Sequence, residues 1–255
     1  MSLVIETRGA VRWIAIDRSQ VDNRVDRETC VALHDALRAA DSDAAVKVVV
    51  LTAKGERFCI GGQVDGAADG AAMNQIKFAE AFASVHAAAD GLSKPLIGAV
   101  NGDAIAGGFS LISSTDLAIT VDTARFGLPE LGAGLFPMLA LATSVHLLPR
   151  KLLFDLIYNL RLLTADEALH YGLVSKVVKR EQLVDAVTEQ AERLAAYSGV
   201  AMALGRHAFH AMLDLPRRDA ISHGGLALVQ VLATEDGRGA VRAHARGEHL
   251  VWSGH

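Results

Sequence analysis

One stretch near the middle of the chain carries the residues best suited to acid–base chemistry beside a carbonyl group. Residues 95–100 form a continuous apolar run that ends at an Asn-Gly pair, which predicts a buried strand closed by a turn. Gly107 and Gly108 follow and open an apolar pattern of helical spacing. Backbone N–H groups at a helix start lack intrahelical partners and bind anions or oxyanions. Glu130 lies between apolar segments further on, where burial would raise its pKa and suit it to proton transfer.

A second glycine-rich segment follows the apolar run at residues 46–52, which predicts another buried strand. It reads GERFCIGGQ and contains the adjacent glycines Gly61 and Gly62 before Gln63. Adjacent glycines permit backbone conformations that expose N–H groups, as in loops that bind phosphates and oxyanions. By itself this is a weak signal, and it gains weight only beside the first stretch.

The order and spacing of these motifs resemble the crotonase (enoyl-CoA hydratase/isomerase) family over about the whole chain. The matching features are Lys94-Pro95, Asn101-Gly102, Gly107-Gly108, the GLPE segment at 127–130, Gly134 and Pro137. The resemblance implies an α/β fold with a crotonase-like (ClpP/crotonase) ββα spiral core and a helical C-terminal region. It also implies an acyl-CoA thioester as the partner and a homotrimer or dimer of trimers. No cofactor or metal is expected, because CoA is part of the substrate.

The resemblance assigns roles to the two glycine segments. It implies that the backbone N–H groups of Ile60 and Gly107 hold the thioester oxygen, and that Gly61, Gly62, Gln63, Gly108 and Pro137 help to bind the substrate. This chain has Ile60 where the family usually has alanine and Gln63 where it usually has aspartate. We therefore expect this loop to sit differently against the acyl group and the CoA.

The catalytic question is how many acid–base groups this site has. Hydratases of the family use two glutamates twenty positions apart; Glu130 matches the second, but the first position is Ser110. A serine hydroxyl can orient water, yet it does not exchange protons near neutral pH as a carboxylate does. The pattern is similar to the single-glutamate Δ3,Δ2-enoyl-CoA isomerases, so we expect isomerisation by Glu130. Hydration of 2-trans-enoyl-CoA and acyl-CoA binding without turnover stay open.

Several other positions carry weaker expectations. The resemblance places Asn23 and Arg24 in the loop that shapes the CoA pocket, although Asn23 could equally turn the chain before a helix. Residues 65–73 are rich in Gly and Ala, and a lid over the acyl pocket and a plain surface loop are both open. His86 lies on a predicted helix whose apolar positions should line the acyl tunnel; it could be an acid or base, although a lone helical histidine is more often structural.

Basic residues of the C-terminal region could meet the phosphates of CoA. Arg206, His207 and His210 are such residues, but a solvated helix face is the favoured interpretation for them. The resemblance leaves Arg242 or Arg246 as the only C-terminal candidates for a CoA contact.

The charge of the chain argues against a nucleic-acid partner. We predict no nucleic-acid site, because the formal net charge is −4 and no Lys/Arg run occurs.

Length and composition limit the class of protein. The chain has 255 residues, of which 51% are hydrophobic, enough for a large core. We divide it into a crotonase-like spiral core at 1–195 and a helical region at 196–255 that covers the site and packs in the oligomer. Only Cys30 and Cys59 are present, and no apolar run approaches the length of a membrane span, so we expect a cytoplasmic protein with buried thiols and no membrane contact.

Overall fold

The structure, a computed structural model, describes residues 2–63, 72–246 and 252–254. The strands are β1 Leu3–Arg8, β2 Val11–Ile16, β3 Val48–Ala53, β4 Leu96–Val100, β5 Ala104–Ile105, β6 Leu117–Val121, β7 Arg125–Gly127, β8 Leu162–Thr164 and β9 Lys176–Val178. The α-helices are α1 Arg27–Ser42, α2 Ala72–Asp90, α3 Gly107–Ser113, α4 Met138–Ser144, α5 Arg150–Tyr158, α6 Ala165–His170, α7 Leu183–Ala195, α8 Gly199–Leu213, α9 Arg217–Ala233 and α10 Glu235–Arg246. Together they make a mixed α/β fold.

The main sheet has six strands in the order β1-β2-β3-β4-β6-β9. Only the β1–β2 pair is antiparallel. Strand β4 is buried along its whole length and β3 at all but one residue, as expected of parallel strands covered on both faces. Strands β2 and β3 form a parallel strand–helix–strand unit, since Val11 lies opposite Val48 and α1 connects the two strands. Asp26 caps that helix by accepting a hydrogen bond from the N–H of Thr29 at 2.8 Å.

A smaller sheet in the order β5-β7-β8 positions the candidate site. Strands β5 and β7 are parallel, with Ala104 opposite Phe126, and Cys59 forms a parallel bridge to Ala104 on the other side. Three chain segments therefore run side by side in one direction. The residues that follow them, at 60–63, 106–108 and 128–130, emerge at the same edge.

The C-terminal helices are tied to the core by one arginine. Arg206 of α8 is 8% exposed, and its guanidinium donates to the carboxylate of Asp116 at 2.9 Å and to the carbonyls of Ala89, Asp90 and Leu92 at 2.7–2.8 Å. The expectation that Arg206 lies on a solvated face is wrong, and so is a contact with a CoA phosphate. Four of its five N–H donors are therefore used inside the protein.

Helix α9 has a different character. None of its residues is buried in the single chain, and its exposed side chains include five large apolar ones: Ile221, Leu226, Leu228, Val229 and Leu232. Packing of this region in a homotrimer remains a prediction. In the described ranges, no helix is both long enough and apolar enough to span a bilayer.

Candidate active site

The two glycine segments predicted from the sequence pack directly against each other. A Cβ atom on Gly108 would lie 2.1 Å from the carbonyl oxygen of Cys59, and one on Gly107 would lie 3.4 Å from the backbone of Gly61. Gly61 has a φ of 112°, which side chains rarely tolerate. At Gly108 only a residue without a side chain allows this approach, and the structure thus brings together two loops that are over 40 residues apart in sequence.

The residue before Gly107 holds an unusual backbone conformation. Ala106 has φ 53° and ψ −115°, a region that normally belongs to glycine, at a cost of about 1–3 kcal/mol. Its N–H donates to the carbonyl of Gly127 at 2.9 Å, which anchors it to the end of β7. Gly107 then begins α3, and its N–H has no hydrogen-bond partner within the described chain. The strain is localised at the point where this free donor is presented.

The second predicted oxyanion donor needs a correction. The N–H of Ile60 already donates to the carbonyl of Asp22 at 3.2 Å, so it is not free for a ligand. The bridge between Val25 and Gly62 uses the carbonyl of Gly61 and the N–H of Gln63, at 3.0 and 2.8 Å. In such a parallel pairing the polar groups of Gly62 point to the opposite side. Its N–H makes no hydrogen bond within the described residues, which makes Gly62 an available donor of this loop.

Glu130 emerges from the same edge as these donors. It lies in a short 3-10 turn, Pro129–Ala133, three residues after the end of β7. Its side chain is half-buried, and its Oε2 atom is buried without a hydrogen-bond partner. Loss of water around the carboxylate raises its pKa above the ordinary value of 4.5, and its own backbone N–H opposes this only partly. A carboxyl group in this environment can both accept and return a proton.

One face of α2 covers the two glycine segments. The ring of Phe78 would contact a Cβ atom placed on Gly62 at 2.7 Å, and the ring of Phe82 would contact one on Gly107 at 3.2 Å. The two rings stack with centroids 5.9 Å apart. Of the tunnel-lining positions expected on this helix, Phe78 and Phe82 face the glycines, whereas Ile76 is 50% exposed.

The next residue along this face, His86, joins Ser110 in a buried polar network. Its Nε2 atom lies 2.9 Å from the Ser110 hydroxyl, and its Nδ1 atom lies 2.8 Å from the Ser114 hydroxyl. Ser110 is completely buried, and its hydroxyl is also 3.3 Å from that of Thr143. Burial lowers the pKa of His86 to about 4, so the ring is neutral at physiological pH.

The loop predicted to shape a CoA pocket is held together from inside. Asn23 is 1% exposed and adopts a φ of 54°; its side chain accepts from the N–H of Arg18 and donates to the carbonyls of Lys54 and Arg57 at 2.7–2.9 Å. Of the two interpretations left open for Asn23, the turn is therefore the correct one, and its amide is not free for CoA. Arg24 is exposed next to it.

Arg18 is a positioning residue that the sequence patterns did not reveal. Its guanidinium donates to the Gln63 side chain at 3.1 Å and to the carbonyl of Arg24 at 2.6 Å, and it forms an ion pair with Asp26 at 2.7 Å. It thus connects the Gly62 loop to the cap of α1. The sequence offered little indication of this role, because an arginine after a strand can make many kinds of contact.

The remaining predicted positions have mixed outcomes. Pro137 is buried immediately before α4, and Gly108 fills the close contact described above. His207 and Arg242 are exposed, while the side chain of Arg246 and residues 65–71 of the expected lid or loop lie outside the described part of the chain. Within that part, no three His, Cys, Asp or Glu side chains are grouped to hold a metal ion.

Two unpartnered amides and a half-buried carboxylate at one edge suit enzymes that hold an oxyanion and move a proton beside it. A family model described as enoyl-CoA hydratase/isomerase matches residues 6–252. A carnitinyl-CoA dehydratase of Proteus mirabilis is 31% identical, and one of Salmonella enteritidis is 30% identical, each over 99% of this chain and 98% of the relative. The chain belongs to the enoyl-CoA hydratase/isomerase family.

Solved structures agree on the fold. Human enoyl Coenzyme A hydratase domain-containing protein 3 superposes with a TM-score of 0.95 at 24% identity, covering 99% of this chain and 100% of that one. An enoyl-CoA hydratase of Mycobacterium smegmatis gives 0.95 at 25% identity, covering 99% of each chain. The predicted crotonase fold is thus confirmed, as is membership in a family of enzymes acting on acyl-CoA thioesters.

Proposed function

We propose that this protein isomerises Δ3-enoyl-CoA to Δ2-enoyl-CoA, with Glu130 as the proton shuttle. The observation that carries the proposal is the common edge at which the unpaired Gly62 and Gly107 amides and the unpaired Glu130 oxygen emerge. The N–H groups of these two amides donate hydrogen bonds to the thioester oxygen. Each such donor contributes about 2.7–4 kcal/mol to a transition state that develops negative charge on that oxygen.

The proton transfer follows from the state of Glu130. Its ionised form removes a proton from C2, the electrons pass to the thioester oxygen as a dienolate, and the protonated form delivers the proton to C4. The raised pKa supports both halves, because a group poised nearer neutrality returns a proton more readily than an ordinary carboxylate does. No second acid–base group is needed for this 1,3-shift.

Addition or elimination of water is the second candidate function. The carnitinyl-CoA dehydratases named above are relatives over nearly the whole chain, and a dehydratase runs a hydration in reverse. In this chain the contact between Ser110 and His86 favours hydration or dehydration, because a hydroxyl beside an imidazole can orient a water molecule and accept its proton.

The two candidates are separated by giving the pure protein 3-enoyl-CoA and 2-trans-enoyl-CoA and identifying the products by mass and ultraviolet absorption. Glu130→Gln keeps the shape of the side chain and removes its basicity, so we expect isomerisation to fall by about 10²–10⁴-fold. Glu189→Gln, on the exposed face of α7, is the matched control and should keep wild-type rates. Full activity of E130Q would refute the shuttle, and binding of acyl-CoA without any turnover would favour a carrier.

A further inference from the structure

The hydrogen bonds around Ser110 can be assigned donors and acceptors by following where each hydroxyl proton goes. The Ser114 hydroxyl lies 3.3 Å from the Ser110 carbonyl, to which it donates its single proton. With that bond formed, it accepts from Nδ1 of His86 at 2.8 Å, which assigns the ring proton to Nδ1. Nε2 is left as an acceptor, and the Ser110 hydroxyl donates to it at 2.9 Å. A serine proton directed at a neutral imidazole is the arrangement that makes a hydroxyl able to pass on a proton.

The position of this pair relative to the oxyanion donors also matters. Ser110 lies three residues after Gly107 on α3, so the two are neighbours on one turn of the helix. On α2, Phe82 covers Gly107, and His86 lies one helical turn further along. The His86 ring meets the Phe82 ring edge-on, with centroids 4.8 Å apart. The pair is therefore one helical turn beyond the donor that would hold the thioester oxygen.

The His86 side of the pair borders a cavity. A cavity of about 650 Å³ lies among α2, α3, α4 and α8, and His86, Ser114 and Thr143 border it. Its titratable lining groups are Asp90, Asp116, His146, His210 and Asp214. Asp116 is paired with Arg206. His146 faces Asp214 at 3.8 Å, and His210 faces Asp90 at 3.9 Å. Groups packed directly on the ring are hydroxyls and an aromatic edge, with no carboxylate among the contacts described.

We infer that Ser110 and His86 form the water-activating acid–base pair of this site, taking the place of the carboxylate that Ser110 replaces. The inference rests on the proposed use of Gly62, Gly107 and Glu130. In hydration, the water oxygen bonds to C3 while its proton passes to Ser110 Oγ and the Ser110 proton passes to His86 Nε2. The C2=C3 electrons move to the thioester oxygen as an enolate, and protonated Glu130 then delivers a proton to C2.

Charge and atoms balance over the cycle. His86 releases its extra proton to solvent, and Glu130 takes one up, so the product contains one added water. Burial keeps the imidazolium short-lived, because the ring is neutral at physiological pH. Dehydration is the same sequence in reverse, with His86 donating through Ser110 to the departing hydroxyl.

The test compares two reactions of the same protein, because isomerisation needs Glu130 but not the pair. Ser110→Ala removes the hydroxyl, and His86→Gln keeps an acceptor near Nε2 without a basic nitrogen. We expect each to lower kcat for hydration of 2-trans-enoyl-CoA by about 10²-fold or more, with KM and isomerisation within roughly threefold of wild type. The double variant should be no worse than the single ones, because the pair acts as a unit.

The control is Ser113→Ala on the same helix. Its hydroxyl contacts the Phe109 carbonyl and Ser144, outside the His86 network, so both reactions should stay within twofold of wild type. A measurement on the wild type needs no variant: ¹⁵N NMR should show His86 as a neutral ring protonated on Nδ1 between pH 5.5 and 8. A charged ring or the other tautomer would overturn the proton assignment.

Four outcomes would overturn the inference: a wild type that isomerises but does not hydrate, equal loss of both reactions in S110A, full hydration by H86Q, and release of free CoA with an acyl group on Ser110. The proposed function fails separately, if the wild type hydrates but does not isomerise, or if E130Q isomerises normally. If the wild type hydrates but does not isomerise, the melting temperature replaces isomerisation as the control for folding. The hydration rates of S110A and H86Q then still test the role of the pair.

Discussion

Gly108→Ala should damage the site by separating its two loops. The added Cβ would lie 2.1 Å from the Cys59 carbonyl oxygen and 2.9 Å from its carbon, both of them rigid backbone atoms. One backbone must therefore move by about 1 Å. That carbonyl also accepts from the N–H of Ile105 at 2.9 Å, so moving it strains the bond that aligns β5 with the Gly62 loop.

The expected magnitude combines opposing effects. Alanine favours a helix over glycine by about 1 kcal/mol, whereas overpacking costs about 1–3 kcal/mol and a lost hydrogen bond about 0.5–1.5 kcal/mol. The net destabilisation is then about 1–3 kcal/mol, or roughly 3–10 °C in Tm for a chain of this size. A 1 Å misplacement of the donors should lower kcat/KM by about 10²-fold, a larger effect than the stability change.

The assay measures thermal unfolding and turnover of an enoyl-CoA for G108A beside Gly205→Ala. Gly205 also lies within a helix, α8, but a Cβ atom there meets no atom within 4 Å. We expect that control to keep its activity and to be unchanged or slightly more stable. G108A with wild-type turnover and an unchanged Tm would show that the two loops do not need this close approach.

Three further predictions concern buried polar groups and thiols. Arg206→Met should destabilise the protein by about 3–5 kcal/mol in urea unfolding, because it removes the guanidinium donors from the Asp116 carboxylate and from three carbonyls. Since burial raises the pKa of Glu130, the folded protein binds this proton more tightly than the unfolded chain; wild-type stability should therefore fall as the pH rises from 4.5 through the raised value, and the stability advantage of E130Q should be larger at pH 8 than at pH 4. Burial raises the pKa of Cys30 to about 12 and that of Cys59 to about 11, so neither thiol should react with a disulfide reagent at pH 8 until urea unfolds the protein.

Much of the fold could be predicted from local patterns. The apolar runs at 46–52 and 95–100 became the buried strands β3 and β4, and the acidic residue before the first long helix caps it. Thr164 and Glu167 form a capping box at the start of α6. These features depend on periodicity and on side chains that bond to backbone a few residues away, so a window of sequence contains what is needed.

The site was predicted less completely. Glu130 and Gly107 were placed by spacing, and the structure presents both at the edge that carries the free amides. The choice of Ile60 over Gly62 was wrong, because which amide of a loop is free depends on the segment that pairs with it, here the one that contains Asp22 and Val25. A glycine-rich segment alone does not state which of its N–H groups is used.

What the sequence by itself determined is the set of strands and helices, the family and the glutamate that remains, since these follow from residue types at fixed local spacing. Only the tertiary structure decided that Arg206 is an internal tie and that His86 faces Ser110. Both are contacts between helices far apart in the chain. Their partners are selected by three-dimensional packing, where leaving a buried charge or hydroxyl unpaired costs free energy, and no local pattern records that selection.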